Sequence, residues 1–452
     1  MTEADILIIG AGPGGYETAL TAAKRGKKVV LFEGAHLGGT CLNAGCIPTK
    51  CLCKNAEILS QFKEADKFGI DEFTFQFDFN KVMERKNEVI STLRGGIEAM
   101  MKQAKVTVVP AFASFKDSHT VVADGEEYTA PYIIIATGSV SKSLPIPGAD
   151  LECVRTSTEL LDIEYVPESL TIVGGGVIGM EFASIFNAMG SKVTVIEFMK
   201  QILPPFDSDI AKRLKQSLAK KGIEILTSAA VKRIEQNESY EIVTTYECKG
   251  KEASVTSTDL LMAVGRAPRL DGLNLESAGV EFTPRGITVD DNMRTNVPHI
   301  FAIGDVNARM MLAHVATFQG LRALNAIDSR ADSIYFSIVP SAVFTVPECG
   351  MAGKTTEQCK AEGIAVKTGT SFFRANGKAL ALGEPEGICK LIFRAEDMRL
   401  IGAHIMGVQA ADLAQQAADL MARGTTHDQM TDIIFGHPTV SEVLLNACHN
   451  LK

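Results

Sequence analysis

Short apolar runs recur along this chain, each followed by a glycine-rich turn and a helix-like stretch. Runs bounded in this way are typical of buried parallel strands joined by helices. The sequence therefore predicts two βαβ units in an α/β protein. The first unit would comprise a strand at 5–10, a turn at 10–15, a helix at 16–25 and a strand at 28–33, and the second a strand at 169–173, a turn at 174–179, a helix ending at 189 and a strand at 192–197.

Further stretches of the pattern complete the prediction. Between the two units, amphipathic helices are expected near 50–68 and 80–105, followed by a β-rich segment near 106–135. After the second unit, an apolar run at 260–265 closes that domain, and a β-like stretch follows at 285–305. From about residue 336 the pattern changes to that of a third domain, with β-rich segments at 338–346, 364–373 and 387–406 and helices at 410–423 and 428–434.

Both turns have the spacing G-x-G-x-x-G. In this motif the first glycine permits a tight turn, the second lets a pyrophosphate approach the backbone, and the third lets the helix pack on the strand. One such turn can arise for packing reasons alone, but two, each with an acid 18 residues beyond the last glycine, predict two dinucleotide sites. The predicted contacts are Gly10, Gly12, Gly15 and Glu33 in the first unit and Gly174, Gly176, Gly179 and Glu197 in the second.

The acids would accept hydrogen bonds from ribose hydroxyl groups. A carboxylate at that place repels a 2′-phosphate, so Glu197 favours NAD over NADP in the second unit. The first unit leaves the identity of its dinucleotide open at this point.

Composition and charge narrow the class of protein. A chain of 452 residues is expected to form two or three domains. The net charge of −9 argues against a nucleic-acid or anionic-membrane partner. No apolar run is long enough for a membrane span, and the first strand begins where a signal peptide would lie. Ten cysteines in such a chain fit a reducing cytoplasmic location, where a close pair is more often catalytic or metal-binding.

Cys41 and Cys46 form such a close pair, directly behind the first glycine turn. In an ideal α-helix the Cα atoms of residues i and i+5 are about 8–9 Å apart, which exceeds the ~7 Å that a disulfide tolerates. The two cysteines can therefore bond only where the helix is distorted near its first turn, and nearby glycines at 38, 39 and 45 supply that freedom. The alternatives are two inert thiols or a metal site. The spacing from this pair to the next cysteines suits no zinc knuckle, so we expect no bound metal.

A thiol exchange also needs a proton acceptor. His437 precedes a proline near the C-terminus, and Glu442 follows five residues later. A carboxylate at that spacing could orient the imidazole and stabilise its protonated form. A histidine before proline is otherwise a common turn residue, so the pairing with Glu442 carries the functional interpretation.

Taken together, these motifs resemble those of the pyridine nucleotide–disulfide oxidoreductases over essentially the whole chain, and most closely the members that oxidise dihydrolipoyl groups. The resemblance implies an α/β fold of two Rossmann-like domains, which bind FAD and NAD, and a C-terminal α+β dimerisation domain. The implied boundaries are 1–145 for the FAD domain, 146–268 for the NAD domain, 269–335 for a return segment and 336–452 for the interface domain. The matching motifs are 12–16, 41–50, 174–181, 264–266, 304–305, 312–314 and 437–442.

The resemblance also implies a role for each catalytic residue. Cys41 would be the thiol that exchanges with substrate, and Cys46 would be the thiol against the flavin. His437, supplied by the other subunit of a homodimer, would be the acid–base, and Glu442 would orient it. Lys50 would lie beside the flavin and pair with Glu181. The remaining implied FAD contacts are Thr40, Ala113, Thr137, Gly138, Ser139, Asp305 and Ala313, and the remaining NAD contacts are Val231 and Gly265.

Relatives with other substrates fit less well. Glutathione-type reductases usually have a tyrosine where this chain has Val177, and mercuric reductases carry a vicinal C-terminal cysteine pair where Cys448 stands alone. The chain departs from the family pattern at Thr49, where serine is common, and at Phe435, where many relatives have a second histidine. The expected partner is a lipoyl domain of a 2-oxo acid dehydrogenase complex or a glycine cleavage carrier protein. The alternatives are a reductase of another disulfide or of mercuric ion, and a flavin-binding scaffold whose cysteines never cycle.

Overall fold

The protein is described by a computed structural model that covers residues 2–72 and 74–452. The chain divides into two compact units. The first unit comprises Met1–Cys51, Lys81–Lys142 and Gly265–Ile334, and the second comprises Leu52–Asn80, Ser143–Val264 and Tyr335–Lys452. Each unit is assembled from segments that are far apart in the sequence.

The helices, in chain order, are α1 Pro13–Lys24, α2 Gly39–Ala44, α3 Cys46–Phe62, α4 Phe79–Gln103, α5 Ser157–Leu160, α6 Val177–Met189, α7 Ser208–Lys220, α8 Ala313–Ile327, α9 Thr356–Ala361, α10 Gly377–Ala381, α11 Ala410–Ala422, α12 His427–Thr431 and α13 Glu442–His449. Short 3₁₀ turns lie at Ala65–Phe68, Leu275–Ala278, Gly304–Asn307 and Phe373–Ala375.

The strands, in chain order, are β1 Thr2–Glu3, β2 Ile6–Ile9, β3 Val29–Phe32, β4 Thr107–Val109, β5 Ala113–Phe115, β6 Thr120–Ala123, β7 Glu126–Thr129, β8 Tyr132–Ile135, β9 Ser139–Ser141, β10 Val154–Arg155, β11 Ser169–Val173, β12 Lys192–Glu197, β13 Glu224–Thr227, β14 Ala229–Gln236, β15 Ile242–Cys248, β16 Lys251–Ser257, β17 Asp259–Met262, β18 Arg266–Pro268, β19 Phe282–Thr283, β20 Gly286–Ile287, β21 Ile300–Ala302, β22 Ser341–Val343, β23 Cys349–Gly353, β24 Val366–Phe372, β25 Ile388–Arg394 and β26 Leu400–Met406.

A parallel sheet of strand order β21-β8-β2-β3-β4 forms the core of the first unit. Its central strands β2 and β3 are buried along their whole length, as expected for a sheet covered on both faces. A second sheet, of order β1-β7-β6-β5, shares one hydrophobic cluster with the first. Helices α1 and α8 pack together in this unit. This arrangement brings the carboxyl ends of the parallel strands, where α/β folds bind ligands, to one edge.

The second unit contains a second parallel sheet, of order β10-β17-β11-β12-β13, with the antiparallel meander β14-β15-β16 beside it. Its C-terminal part is an antiparallel sheet of order β22-β23-β26-β25-β24. The apolar face of that sheet packs on α11 and α13 in a single buried cluster. The unit therefore joins a dinucleotide-type half and an α+β half within one compact body.

Most predicted elements are present at or near the expected positions. Both βαβ units are confirmed, and β12 has the predicted bounds of 192–197. The stretch 387–406 was expected as one β-rich segment, and it is the hairpin β25–β26. The stretch 285–305 contains only short strands separated by turns. Elements that the pattern did not predict include α7, α9, α13, β13, β23 and the meander β14–β16.

A buried ion pair holds α7 to the antiparallel sheet within the second unit. Asp207, the N-cap of α7, is fully buried, and Nζ of Lys390 on β25 donates to it at 2.8 Å. The other carboxylate oxygen accepts from the backbone N–H and the hydroxyl of Thr356 at 3.0 and 2.6 Å. Burial by itself would raise the pKa of Asp207, but the hydrogen bonds from Lys390 and Thr356 outweigh it and lower the pKa to about 2.

We expect Lys390→Met to destabilise the protein by about 3–5 kcal/mol, because it leaves the Asp207 carboxylate buried without its cation. Lys367→Met, on the neighbouring strand β24 and exposed, is the matched control and should cost well under 1 kcal/mol. Thermal or denaturant unfolding of both variants measures the difference. Equal losses in the two variants would contradict the assignment.

The pH dependence of this difference has a defined sign. The folded-state pKa of Asp207, about 2, lies below its ordinary value of 3.8. The stabilisation is therefore complete above pH 4 and is lost as the pH falls through the folded-state pKa. The gap between wild type and Lys390→Met should be largest near neutral pH and should shrink toward pH 2, as measured by unfolding at each pH.

Candidate functional site

The first glycine turn has one open side. A Cβ at Gly10, whose φ is +102°, would overlap the carbonyl of Ala136, and a Cβ at Gly15 would overlap the carbonyl of Gly10. A Cβ at Gly12 would meet no atom within 4 Å. Two glycines are therefore required by the protein's own packing, while the open space beside the middle one is suited to a ligand phosphate.

The second turn repeats this arrangement in the other unit. Gly174, with φ +113°, faces the carbonyl of Ala263, and Gly179 faces the carbonyl of Gly174 so closely that neither position has room for a Cβ. A Cβ at Gly176 would again meet no atom within 4 Å. The sequence motif thus has the same physical basis at both places.

Each predicted ribose acid also shapes its own turn. The carboxylate of Glu33 accepts hydrogen bonds from the backbone N–H groups of Ala11 and Ala35, both at 2.9 Å. The carboxylate of Glu197 accepts from those of Gly175 and Met199. A carboxylate has about four acceptor positions, so each acid can hold its loop and still accept from a ribose.

Three helices begin at residues whose side chains cannot cap them. The N-cap residues of α1, α6 and α8 are Gly12, Gly176 and Leu312, and none makes a side-chain cap hydrogen bond. The first N–H groups of a helix need acceptors, and the helix dipole favours negative charge there. Ala313, which the resemblance places at the flavin, is the first residue of α8, at such an open N-terminus.

A hydrogen-bonded chain of Arg266, Ser139 and Asp305 lies in the first unit. The Ser139 hydroxyl donates to Asp305 at 2.5 Å and accepts from Nε of Arg266 at 2.7 Å. Burial lowers the pKa of Arg266, while the nearby negative charges of Asp305 and Cys46 act in the opposite direction. The adjacent Thr137 donates its hydroxyl to the carbonyl of Arg269 at 2.8 Å.

The cysteine pair lies across a break between two helices. Cys41 is in the first turn of α2, and Cys46 is the first residue of α3. Between them Gly45 leaves helical geometry, with φ −154° and ψ −109°. The distortion that the spacing of the two cysteines predicted is therefore present.

The two thiols contact each other and differ in their environments. A hydrogen bond with Cys46, followed by burial and the charge of Cys46, raises the pKa of Cys41 well above its usual range, and Lys50 opposes this only partly. Two thiolates in contact cannot both carry charge easily, so the pair titrates as one unit. Burial, together with the charges of Glu17 and Cys41, raises the pKa of Tyr16 to about 12.

The predicted base and its orienting acid form a pair in the second unit. Nδ1 of His437 lies 3.0 Å from Oε1 of Glu442, the first residue of α13. The backbone N–H of Thr439 donates to Oε2 at 3.0 Å. These two bonds, that from His437 first, lower the pKa of Glu442 below its usual value. The His437 side chain is 77% exposed, and with Nδ1 facing Glu442 its Nε2 is the nitrogen left for proton transfer.

The remaining predicted residues are distributed over elements of both units. Ala113 is buried at the start of β5, and the exposed Thr40 precedes Cys41 in α2. Glu181, buried in α6, accepts from the backbone N–H of Phe344 at 2.9 Å, and its pairing with Lys50 stays a prediction. Val231 is on β14, and Gly265 and Gly138 have φ of +108° and +72°.

Sequence reasoning missed some residues of this region. Arg266 was quoted within a family motif but was given no role, although it is hydrogen-bonded into the predicted site. Asn43 and Arg94 contact each other across 51 residues of sequence, which no local pattern could indicate. Among residues 2–72 and 74–452, no helix is long and apolar enough to cross a membrane. The same described residues contain no group of three or more acidic, histidine or cysteine side chains arranged to hold a metal ion.

The architecture is that of a disulfide oxidoreductase. It has two nucleotide-type turns, a cysteine pair beside the first turn and a C-terminal histidine–glutamate pair. Residues 4–320 match the model of the pyridine nucleotide-disulphide oxidoreductase family, and residues 339–448 match that family's dimerisation domain. The chain belongs to this family. The dimerisation domain supports a homodimer.

Individual relatives are similar over nearly the full length. The chain is 39% identical to a dihydrolipoyl dehydrogenase of Bacillus subtilis, over 98% of this chain and 97% of that protein. It is 37% identical to a dihydrolipoyl dehydrogenase of Staphylococcus aureus, over 98% and 96%. Among solved structures, the HOCl-induced flavoprotein disulfide reductase RclA of Escherichia coli superposes with a TM-score of 0.88 at 30% identity, over 98% of this chain and 99% of that one.

The family uses FAD and NAD, and the residues of both turns fit these groups. The open space at Gly12 and Gly176 and the uncapped helix N-termini suit a pyrophosphate, and Glu33 and Glu197 retain acceptor capacity for a ribose. In the first unit, the N-terminus of α8 adds hydrogen-bond donors that suit the carbonyl groups of a flavin.

Gly12→Ala and Gly15→Ala should affect different properties, FAD affinity and stability respectively. Gly12→Ala leaves the fold intact, because its Cβ meets only open space, but it should weaken FAD binding by about tenfold to hundredfold through steric overlap with the pyrophosphate. Gly15→Ala should destabilise the apoprotein by about 1–3 kcal/mol, because its Cβ overlaps the carbonyl of Gly10. Flavin fluorescence titration and thermal unfolding of the apoprotein separate the two. If Gly12→Ala bound FAD with wild-type affinity, the pyrophosphate could not lie beside Gly12.

Proposed function

We propose that the protein oxidises protein-bound dihydrolipoyl groups with NAD⁺, by way of FAD and a redox-active Cys41–Cys46 disulfide. The observation that carries the proposal is the contact of the cysteine segment with the first nucleotide turn: the N–H of Gly38 donates to the carbonyl of Ala11 at 2.9 Å. A Cβ at Gly39 would overlap the Cα of Gly12. The segment that carries Cys41 therefore lies directly against the predicted pyrophosphate position.

In the proposed reaction, Cys41 receives the substrate. A dihydrolipoyl thiolate attacks Sγ of Cys41, the Cys41–Cys46 bond breaks, and Cys46 leaves as a thiolate. The second lipoyl thiolate then attacks the mixed disulfide, which releases lipoyl disulfide and the Cys41 thiol. Two electrons and two protons pass from substrate to protein. The raised pKa of Cys41 supports this direction, because Cys41 then keeps its proton when the pair is reduced.

His437 would remove the proton from the attacking lipoyl thiol. A neutral imidazole whose Nδ1–H donates to Glu442 has Nε2 free to accept a proton, and the ionised Glu442 stabilises the imidazolium that forms. We propose that His437 acts on the cysteine pair of the partner subunit in the homodimer. When bound, FAD and NAD⁺ would supply the redox chemistry that removes the electron pair from the reduced cysteines.

The proposed partner is a lipoyl domain of a 2-oxo acid dehydrogenase complex or a glycine cleavage carrier protein, and the proposed location is the cytoplasm. The name of the relatives at 37–39% identity supports the substrate class. A second candidate, NAD(P)H-dependent reduction of another disulfide, is favoured by the full-length likeness to RclA at 30% identity. Dihydrolipoamide-dependent NAD⁺ reduction and lipoamide-independent NADH oxidation, measured side by side, distinguish them.

Cys46→Ser should retain FAD and lose dihydrolipoamide-dependent NAD⁺ reduction to background, because no disulfide can form with Cys41. Cys51→Ser, one of the buried cysteines of the same helix α3, is the matched control and should keep the activity. The absorbance of NADH at saturating dihydrolipoamide measures both variants. Substantial turnover by Cys46→Ser would disprove the dithiol mechanism.

His437→Gln should lower dihydrolipoamide oxidation by about 10²–10⁴-fold, the usual contribution of a positioned base. NADH oxidation by ferricyanide, which needs no thiol exchange, should stay near the wild-type rate. Glu442→Gln should show a smaller loss in the first assay, because the ring loses its orienting carboxylate but keeps Nε2. An equal fall in both assays would show that His437 has only a structural role.

A further inference from the structure

The side-chain amide of Asn43 uses every one of its hydrogen-bonding positions. Asn43 lies between the two cysteines, near the end of α2. Its Nδ2 donates to the carbonyls of Leu37 and Gly39, at 3.1 and 2.9 Å. Its Oδ1 accepts two bonds from Arg94, from Nε at 3.1 Å and from Nη2 at 2.6 Å. The amide thus ties the short helix that carries Cys41 to the loop before it.

Arg94 comes from a long helix packed in the same unit. It lies in the middle of α4, four residues after Ile90 and three before Ile97, both of which are buried. Residues at these spacings share one helix face, so Arg94 points inward from an anchored side. Its planar guanidinium offers two parallel N–H groups to one acceptor, which fixes direction as well as distance.

The opposite side of the cysteine segment is fixed by backbone. Gly38 and Gly39 have φ of +95° and +56°, and the N–H of Gly38 donates to the carbonyl of Ala11 in the first nucleotide turn. The segment is therefore held from two directions, by the nucleotide turn through backbone and by α4 through Arg94 and Asn43. Without Arg94, α2 would lose the second of these attachments.

We propose that Arg94 is a positioning residue that acts through Asn43 to set the dithiol–disulfide equilibrium of Cys41 and Cys46. Forming the disulfide requires α2 to stay in register with the start of α3 across the break at Gly45. Freedom of α2 lowers the effective concentration of one thiol for the other, which favours the dithiol. The inference rests on the redox pair of the proposed function.

The equilibrium can be measured on the FAD-loaded protein in mixtures of reduced and oxidised dithiothreitol. In this exchange the Cys41–Cys46 disulfide takes two electrons and two protons from dithiothreitol, which becomes its cyclic disulfide. Acid quenching, alkylation with N-ethylmaleimide and trypsin digestion then give one peptide, 29–50, which contains Cys41 and Cys46 as its only cysteines. Its alkylated and disulfide forms are counted by mass spectrometry.

We expect Arg94→Ala to shift this equilibrium about tenfold toward the dithiol, which equals ~30 mV for a two-electron couple. Arg85→Ala, at an exposed position of the same helix, is the matched control and should leave it unchanged. If Arg94→Ala fails to retain FAD, Arg94→Gln keeps one donor toward Oδ1 and should shift the equilibrium in the same direction by less. An equilibrium unchanged in the variant that retains FAD overturns the proposal.

The route through Asn43 is tested by a double-mutant cycle. In an Asn43→Ala background, Arg94→Ala should produce no further shift, because the shared hydrogen bonds are already lost. A second full tenfold shift would show that Arg94 acts through its charge and would overturn the positioning role. If the wild-type protein never yields the disulfide form of peptide 29–50, even in oxidising mixtures, the proposed function itself is contradicted.

Discussion

The hydrogen bonds from backbone N–H groups to a glutamate carboxylate at the end of a neighbouring strand organise both nucleotide turns. Glu33 and Glu197 each hold the residue after the first glycine of their turn and a residue two positions beyond themselves. These hydrogen bonds fix each turn before any ligand binds, and they leave the N-terminus of the following helix open. A preformed, donor-rich turn lowers the ordering cost of binding a pyrophosphate.

The cysteine pair depends on the first of these turns. Because the segment at Gly38 and Gly39 packs directly on the turn, a position suited to phosphate also fixes the position of Cys41. The helix break at Gly45 then lets the two thiols meet. Their contact makes the pair asymmetric, since the hydrogen bond with Cys46, followed by burial and the charge of Cys46, raises the pKa of Cys41. The electrostatics of the pair thus follow from the backbone of a turn that is shared with the nucleotide site.

The sequence pattern predicted those elements whose own residues form a clear apolar run bounded by glycine. The strands β2, β3 and β11 are short apolar runs bounded by glycine, and they lie where the pattern placed them. The meander β14–β16 was missed because its strands mix exposed and buried positions and lack a sustained apolar run. Helix α13 was missed because its eight residues offer too little periodicity, although Glu442 at its start was assigned a role.

By itself the sequence determined the two nucleotide turns, the need for a distorted helix at Cys41 and Cys46, and the pairing of His437 with Glu442. These features depend on residues within about twenty positions of each other, where spacing constrains geometry directly. Only the tertiary structure decided that Arg266 joins Ser139 and Asp305, that Lys390 neutralises Asp207, and that Arg94 holds Asn43. Such contacts join residues that are between 51 and 183 positions apart, and the chain brings them together only when the sheets assemble and bury their apolar faces.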